Sequence, residues 1–493
     1  MKMTRLPVFL LAAVAFGTVA CNEDLTGLNK NPNSPTTAPA GALFANAVQT
    51  TAGRIGGAGW QLSMTELLAQ HIAQVQYVDE DRYVYRATNI SGYFSGPYIN
   101  DLMDFQRVVD AGTAAKDPNT SGPAVVMQTV MYQAMTDLWG DIPYSEALKG
   151  GDGPLKPKYD AQKDIYYGML KALTDASAAM GSGAGLGSSD PIYNGDAAKW
   201  KKFSNSLRAR LAMRIQKADP AKATAELSAA FAAGGFTSNA DNAALAWPGD
   251  GIFDNPWAAN FGGRDDHRLS KTLVDAMQAV NDPRLPIYAQ PTQNDATKIS
   301  GLQNGLNNAD AAPQMKTTSR PGAIFYPGST TYGTYGTSAG KKTPTYMMTF
   351  AEYSFIKAEA ANRGIGGLTA AQAQGFYNDG VTASITQWGG SAADAAAYLA
   401  NPAVAYQGGA AGLTQILTQK WIALFTQGEE AWSDWRRTGI PASIAPGPRA
   451  TLSTIPRRMN YSSAEQSVNL DNLNAAITRQ GADLLTTRVW WDK

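Results

Sequence analysis

"PAVVMQTVMYQAMTDLWGDIPYSEAL" (123–148) repeats apolar side chains at the three- and four-residue spacing of one helix face as far as Trp139. The spacing predicts a long helix that Gly140 and Pro143 bring to an end. Segments of the same kind lie on both sides of it. "WQLSMTELLAQHIAQVQYV" (60–78) aligns Met64, Leu67, Leu68, Ile72 and Val75, and "YINDLMDFQRVVDAG" (98–112) aligns Ile99, Leu102, Phe105, Val108 and Val109 before a stop at Gly112. "YDAQKDIYYGMLKALTDASAAM" (159–180) opens on Asp160 as an expected N-cap. "DAAKWKKFSNSLRARLAMRIQ" (196–216) places Trp200, Phe203, Leu207, Leu211 and Ile215 on one side.

Residues 238–345 are different in character. They are rich in Gly, Pro, Asn, Thr and aromatics, with one helix-like interruption near 269–280. Helical spacing returns at "YMMTFAEYSFIKAEAANRG" (346–364), where Phe350, Tyr353, Ile356 and Ala360 align, and continues through 369–389 and 413–439. Paired helices with short turns predict stacked helical hairpins of the tetratricopeptide kind, although the strict repeat consensus is absent. The expected fold class is therefore dominated by α-helix: a scaffold over about 41–237 and 346–493, carrying a loop-rich, ligand-binding insert over about 238–345.

Composition narrows the function. Lys and Arg total 41, as do Asp and Glu, so no basic excess supports nucleic-acid binding. Cys21 is the only cysteine, so no internal disulfide forms. It follows Lys2, Arg5 and the apolar run "LPVFLLAAVAFGTVA" (6–20), the layout of a secretory signal too short to span a membrane. The position resembles a bacterial lipobox, with Thr18 standing where Leu is usual, which predicts lipidation of Cys21 after removal of residues 1–20. Polar residues 21–40, rich in Pro, Asn and Thr, read as the lipidated N-terminus and its tether.

No catalytic or metal site is expected. His71 and His267 are the only histidines and cannot form a usual zinc site. "DEDR" (79–82) lacks the spacing of a calcium loop and reads as a solvated acidic turn. "GTSAGKKT" (336–343) misses the Walker spacing, and "GSGAGLG" (181–187) reads as a linker. Glycosidase chemistry needs two positioned carboxylates, for which Asp265, Asp266, Glu429, Glu430 and Asp434 are available. Salt-bridged loop anchoring is the preferred reading of "RDDHR" (264–268). In "EEAWSDWRRTG" (429–439), Glu429 or Glu430 is expected to pair with Arg436 or Arg437 beneath Trp432 and Trp435. Sugars present apolar faces that stack on flat rings, and hydroxyls that bond to Asn, Asp, Gln and Arg. Trp247, Trp257, Phe261, Tyr326, Tyr332 and Tyr335 lie among glycines in the insert and are the expected stacking residues. Asn89, with Tyr83 and Tyr85 in "YVYRATNISGY" (83–93), is the second candidate set.

Several motifs together resemble the SusD/RagB outer-membrane lipoproteins of the SusD-like subgroup. They are "CNEDLTGLNKNPNSPT" (21–36), "AMTDLWGDIPYSEAL" (134–148), "WKKFSNSLRARLAMRI" (200–215), "NDPRLPIYAQP" (281–291), "FAEYSFIKAEAANRG" (350–364), "QKWIALFTQGEEAWSDWRRTGIP" (419–441) and "IPRRMNYSSAEQSVNLDNLNAAI" (455–477). The resemblance implies one SusD-like domain over 41–493, without cofactor or enzymatic activity. It implies a surface receptor that binds glycan or another nutrient and docks on a SusC-like TonB-dependent outer-membrane barrel. Glu23 and Asp24 are similar to the signal that exports such lipoproteins to the cell surface. Two rival readings from the residues are a secreted glycan hydrolase and a helical-repeat adaptor that binds only proteins.

Overall fold

The computed structural model describes residues 38–181, 183–326 and 338–493. Its elements in chain order are α1 (Ala40–Ile55), β1 (Ile72–Gln74), α2 (Ala87–Gly96), α3 (Met103–Ala114), α4 (Pro118–Trp139), β2 (Ile142–Pro143), β3 (Tyr159–Asp160), α5 (Gln162–Ala179), α6 (Ala197–Arg214) and α7 (Pro220–Ala233). There follow β4 (Ala243–Leu245), α8 (Pro256–Phe261), β5 (His267–Leu269), α9 (Lys271–Gln278), β6 (Thr345–Met348), α10 (Phe350–Arg363), α11 (Ala373–Gln387), α12 (Gly409–Ala423), α13 (Gly428–Thr438) and α14 (Leu470–Gln480). Shorter helical turns connect them.

Successive helices pack as hairpins: α3 on α4, α4 on α5, α5 on α6, α6 on α7, and α10 on α11. Local chemistry sets their ends. Asp117 and Asp219 cap α4 and α7 by accepting from backbone N–H groups, and Pro118 and Pro220 follow at the first helical position. Gly140 ends α4 with φ +84°, and a Cβ there would strike the Gln480 carboxamide. That close approach lets Gln480 accept from Asp141 N (2.8 Å) and donate to Trp139 O (3.0 Å), fixing the last helix to the middle of the chain.

Three two-stranded antiparallel ladders fasten distant loops: β1 with β5, β2 with β3, and β4 with β6. The residues of 60–78 do not make one helix. A π-helical turn (Ala58–Thr65) and a short turn give way to β1, so Ile72 is a buried strand residue. Ile99 is 69 % exposed rather than on the buried face, and α3 runs through Gly112 to Ala114. Asp160 does not cap α5. Its carboxylate instead accepts from Tyr144 N and Ser145 N, closing the turn after β2. The 413–439 helix is two helices, broken between Ala423 and Gly428.

Residues 238–345 contribute side chains to the main core. Trp247, Trp257, Phe261, Leu273, Tyr288 and Phe325 join the same buried cluster as Trp60, Trp139, Trp200 and Trp432. In "EEAWSDWRRTG" Glu430 finds its ion-pair partners on other helices instead of at Arg436 or Arg437, and Arg436 lies over Trp432 of its own helix. Glu430 meets Arg214 at 2.5 Å, and Arg436 lies 3.6 Å from the centre of the Trp432 ring and 4.6 Å from that of Trp491. Among the described residues, no helix is long and apolar enough to cross a membrane.

Candidate ligand-binding cleft

The ladder between β1 and β5 sets Gln74 opposite His267, and Val75 N donates to Asp266 O at 2.7 Å. Two segments nearly two hundred residues apart in the chain thereby share one wall. His267 Nε2 lies 3.0 Å from Leu62 O, which joins the wall to the π-helical turn. The three parts enclose a cleft of about 550 Å³. Its floor and walls include Gln74, Tyr77, Asp79, Glu80, Tyr93 and His267, with Arg86, Asn260, Arg264, Asp266 and Asn308 around them.

Tyr77 stands out at the rim. It is 64 % exposed, and Arg264 lies 5.2 Å from the centre of its ring. Its φ of +53° is uncommon for a bulky side chain, and Gln70 (+53°) and Tyr83 (+69°) share the same conformation nearby. Such strain persists where surrounding contacts hold it, and it concentrates at ligand sites. Here the holding contacts are visible. Buried Asp81 accepts from Asn304 Nδ2 (2.8 Å), Gly305 N (3.1 Å) and Gln74 N (3.3 Å), while Gln74 Oε1 accepts from Asp81 N (3.1 Å). Burial pushes the Asp81 carboxyl up to about 6, against the pull of the donors from Asn304, Gly305 and Gln74. On the opposite wall Gly59 permits Tyr93 to lie against the backbone, where any Cβ would overlap its ring.

The acids of the cleft are mostly engaged. Arg264 pairs with Asp266, and Glu80 accepts from Gln74 Nε2 at 3.2 Å. Behind the wall Asp265 is held by Arg268 and Arg320. His267 is buried and its imidazole is pushed down to about 4, first by loss of water and further by Arg264 and Arg268. Among the described residues no group of three or more His, Cys, Asp or Glu is placed to hold a metal ion.

The expected stacking residues are elsewhere. Trp247, Trp257, Phe261 and Tyr326 are between 1 % and 7 % exposed. Trp257 packs against Phe325 and Phe425 (5.1 and 5.6 Å between ring centres), Phe261 stacks on Tyr326 at 4.8 Å, and Trp247 Nε1 donates to Thr345. They are core residues, because side chains from distant segments, Phe325, Phe425 and Thr345 among them, cover the rings. Tyr332 and Tyr335, like Cys21, lie outside the described residues. Asn89 is exposed on the first turn of α2 without lining the cleft, whereas Arg86 and Tyr93 of the same segment do line it. Glu429, Glu430 and Asp434 line none of the cleft.

A second cavity of about 400 Å³ is lined chiefly by apolar side chains, among them Phe94, Ile99, Met103 and Leu148. It offers few donors or acceptors, so the cleft around Tyr77 is the better site for a polar ligand.

Three kinds of comparison bear on identity. The SusD-like family model described as "Starch-binding associating with outer membrane" matches residues 32–462. A solved chitin-binding protein aligns with TM-score 0.78 and 28 % identity, covering 91 % of this chain and 99 % of its own. A chitin-binding SusD homologue from Flavobacterium johnsoniae aligns with TM-score 0.77 and 26 % identity, covering 91 % and 98 %. A SusD homologue from Bacteroides uniformis aligns with TM-score 0.77 and 25 % identity, covering 92 % and 99 %. No curated protein matches the chain.

Proposed function

The chain belongs to the SusD-like family, and from that premise we propose that it is a non-catalytic glycan-binding lipoprotein of the outer membrane, using the cleft around Tyr77. The observation that carries the reading is the rim itself. An exposed tyrosine ring in a strained backbone, backed by Arg264 and sharing one cleft with Asp79, Glu80, Asn260 and Asn308, is the combination a sugar needs. The ring stacks on the apolar face and the polar groups meet the hydroxyls. The chitin-binding descriptions of two structural relatives support glycan as the ligand class.

A hydrolase needs a carboxyl free to give up a proton beside the ligand. Of the three cleft carboxylates, Asp266 is tied to Arg264 and Glu80 accepts from Gln74, leaving Asp79 without a second free carboxyl beside it, which favours binding over cleavage. In the same reading residues 1–20 are the export signal, Cys21 carries the lipid, residues 21–40 are the tether and 41–493 form the receptor domain. The bound glycan is handed to a SusC-like TonB-dependent barrel, in keeping with the family's association with the outer membrane. Glycan-array binding followed by calorimetry and product analysis tests this. Retention of an oligosaccharide without shortening it is the expected result, and either no glycan binding or release of smaller sugars defeats the reading.

A further inference from the structure

His267 and Asn260 face the same cleft with complementary needs. His267 Nε2 is set against the Leu62 carbonyl at 3.0 Å, so that nitrogen carries the hydrogen. Its Nδ1 is then a lone-pair acceptor, and it has no partner. The Asn260 Nδ2 donor, buried on α8 at the same cleft, has none either. Buried polar groups are nearly always paired in folded proteins, and an unmet one is costly. Two such groups lining one cleft, one donor and one acceptor, match in hydrogen-bonding character the two halves of a secondary amide, whose carbonyl oxygen accepts and whose N–H donates. A hydroxyl can meet either need but presents no carbonyl to Asn260.

We infer that the cleft recognises the acetamido group of an N-acylated amino sugar, with Asn260 Nδ2 donating to its carbonyl and His267 Nδ1 accepting from its N–H. The inference rests on the reading of this cleft as a glycan site and adds the class of sugar and the residues that select it. Tyr77 at the rim takes the pyranose face, and Asp79 and Glu80 take the hydroxyls; a peptide, which also carries amides, lacks these features. Both unpaired atoms are buried beneath the lining of the cleft, so the bound state includes a turn of the two side chains toward the ligand. The neutral state of His267 follows from its burial and from the arginines on either side of Asp265 and Asp266, and it keeps Nδ1 an acceptor at neutral pH.

The test uses the full chain and two probes of equal length and linkage, chitopentaose and cellopentaose, which differ in bearing an acetamido or a hydroxyl at C2. Calorimetry is expected to give chitopentaose about tenfold or greater tighter binding, since a site built to bond a polar group rejects the analogue lacking it. Asn260→Asp keeps the shape and removes the donor, and the ratio of the two affinities is expected to fall to about threefold or less. A merely structural role for Asn260 lowers both affinities alike and leaves the ratio intact, which overturns the inference. Equal binding of the two probes by the wild-type chain, or binding of an N-acetylated peptide in place of chitopentaose, also overturns it. Binding of an unrelated glycan with neither probe bound defeats this inference and leaves the glycan receptor standing. An array without any bound glycan defeats both.

Discussion

Arg437 meets Glu359 through two hydrogen bonds of 2.7 Å each, from Nη1 to Oε1 and from Nη2 to Oε2, and both side chains are buried. Burial pushes the Glu359 carboxyl up, but the Arg437 charge and its bonds outweigh it and hold the group below its ordinary range. The pair joins α13 to α10 across the scaffold. Removing Arg437 leaves buried Glu359 with only the partly exposed Arg363, which donates to its Oε1 at 2.9 Å, so Arg437→Met is expected to cost up to about 3–5 kcal/mol. The double variant Arg437→Met/Glu359→Leu is expected to recover much of that. Chemical denaturation checks both, and a single variant within about 1 kcal/mol of wild type removes the pair from the structural account.

Glu429 has the opposite tendency. Its Oε2 is buried and unpaired, and burial, reinforced by Glu430 and Glu66, pushes the carboxyl up to about 8. The folded protein therefore keeps a proton that the unfolded chain releases near 4.5. The contribution to stability is fully present below pH 4.5 and is lost as pH rises to about 8. Glu429→Gln is expected to flatten that slope and to raise stability at pH 8 by roughly 1–3 kcal/mol. Melting curves at pH 5, 6.5 and 8 decide it; an unchanged slope contradicts the assignment.

Tyr77→Ala is expected to weaken glycan binding by about three- to tenfold, the order of one stacked ring at 0.5–1.5 kcal/mol. The side chain is mostly outside, so the melting temperature should stay close to wild type. Calorimetry beside a thermal melt reads the two effects separately, and full affinity in Tyr77→Ala places the ligand elsewhere.

Trp257→Ala should behave in the reverse way. Its ring fills the space between Phe261, Phe325 and Phe425, so truncation is expected to cost about 3–5 kcal/mol through a cavity. Whatever protein remains folded should bind glycan with wild-type affinity. A stable Trp257→Ala protein that has lost binding would return this residue to the site.

Cys21→Ala is expected to abolish acyl labelling and to release the chain from the outer membrane. Membrane fractionation with metabolic labelling by a radiolabelled fatty acid measures both, and persistence in the detergent phase excludes Cys21 as the anchor.

Much of the scaffold was legible in the chain itself. The spacing of Trp200, Phe203, Leu207, Leu211 and Ile215 predicts a buried helix face, and all five are buried. Gly140 ends its helix as the turn chemistry requires. The stretch 60–78 misled, because the same apolar spacing serves a π-helical turn followed by a short strand when a partner strand is present. That partner is β5, far along the chain, and no local pattern announces it.

The site divides in the same way. Each piece was visible as a motif: the acidic turn at 79–82, the aromatic segment at 83–93 and the charged cluster at 264–268. Their meeting was not, since it depends on the register Gln74 opposite His267. The chain alone carried the positions of most long helices, the candidate anchor at Cys21 and the residue types a sugar site needs, because helix periodicity, turn chemistry and composition are local properties. Tertiary structure alone decided that Trp257 and Phe261 are core and Tyr77 is rim. Whether a ring faces water depends on which distant side chains cover it, here Phe325, Tyr326 and Phe425 over the first two and Arg264 over one side of the third.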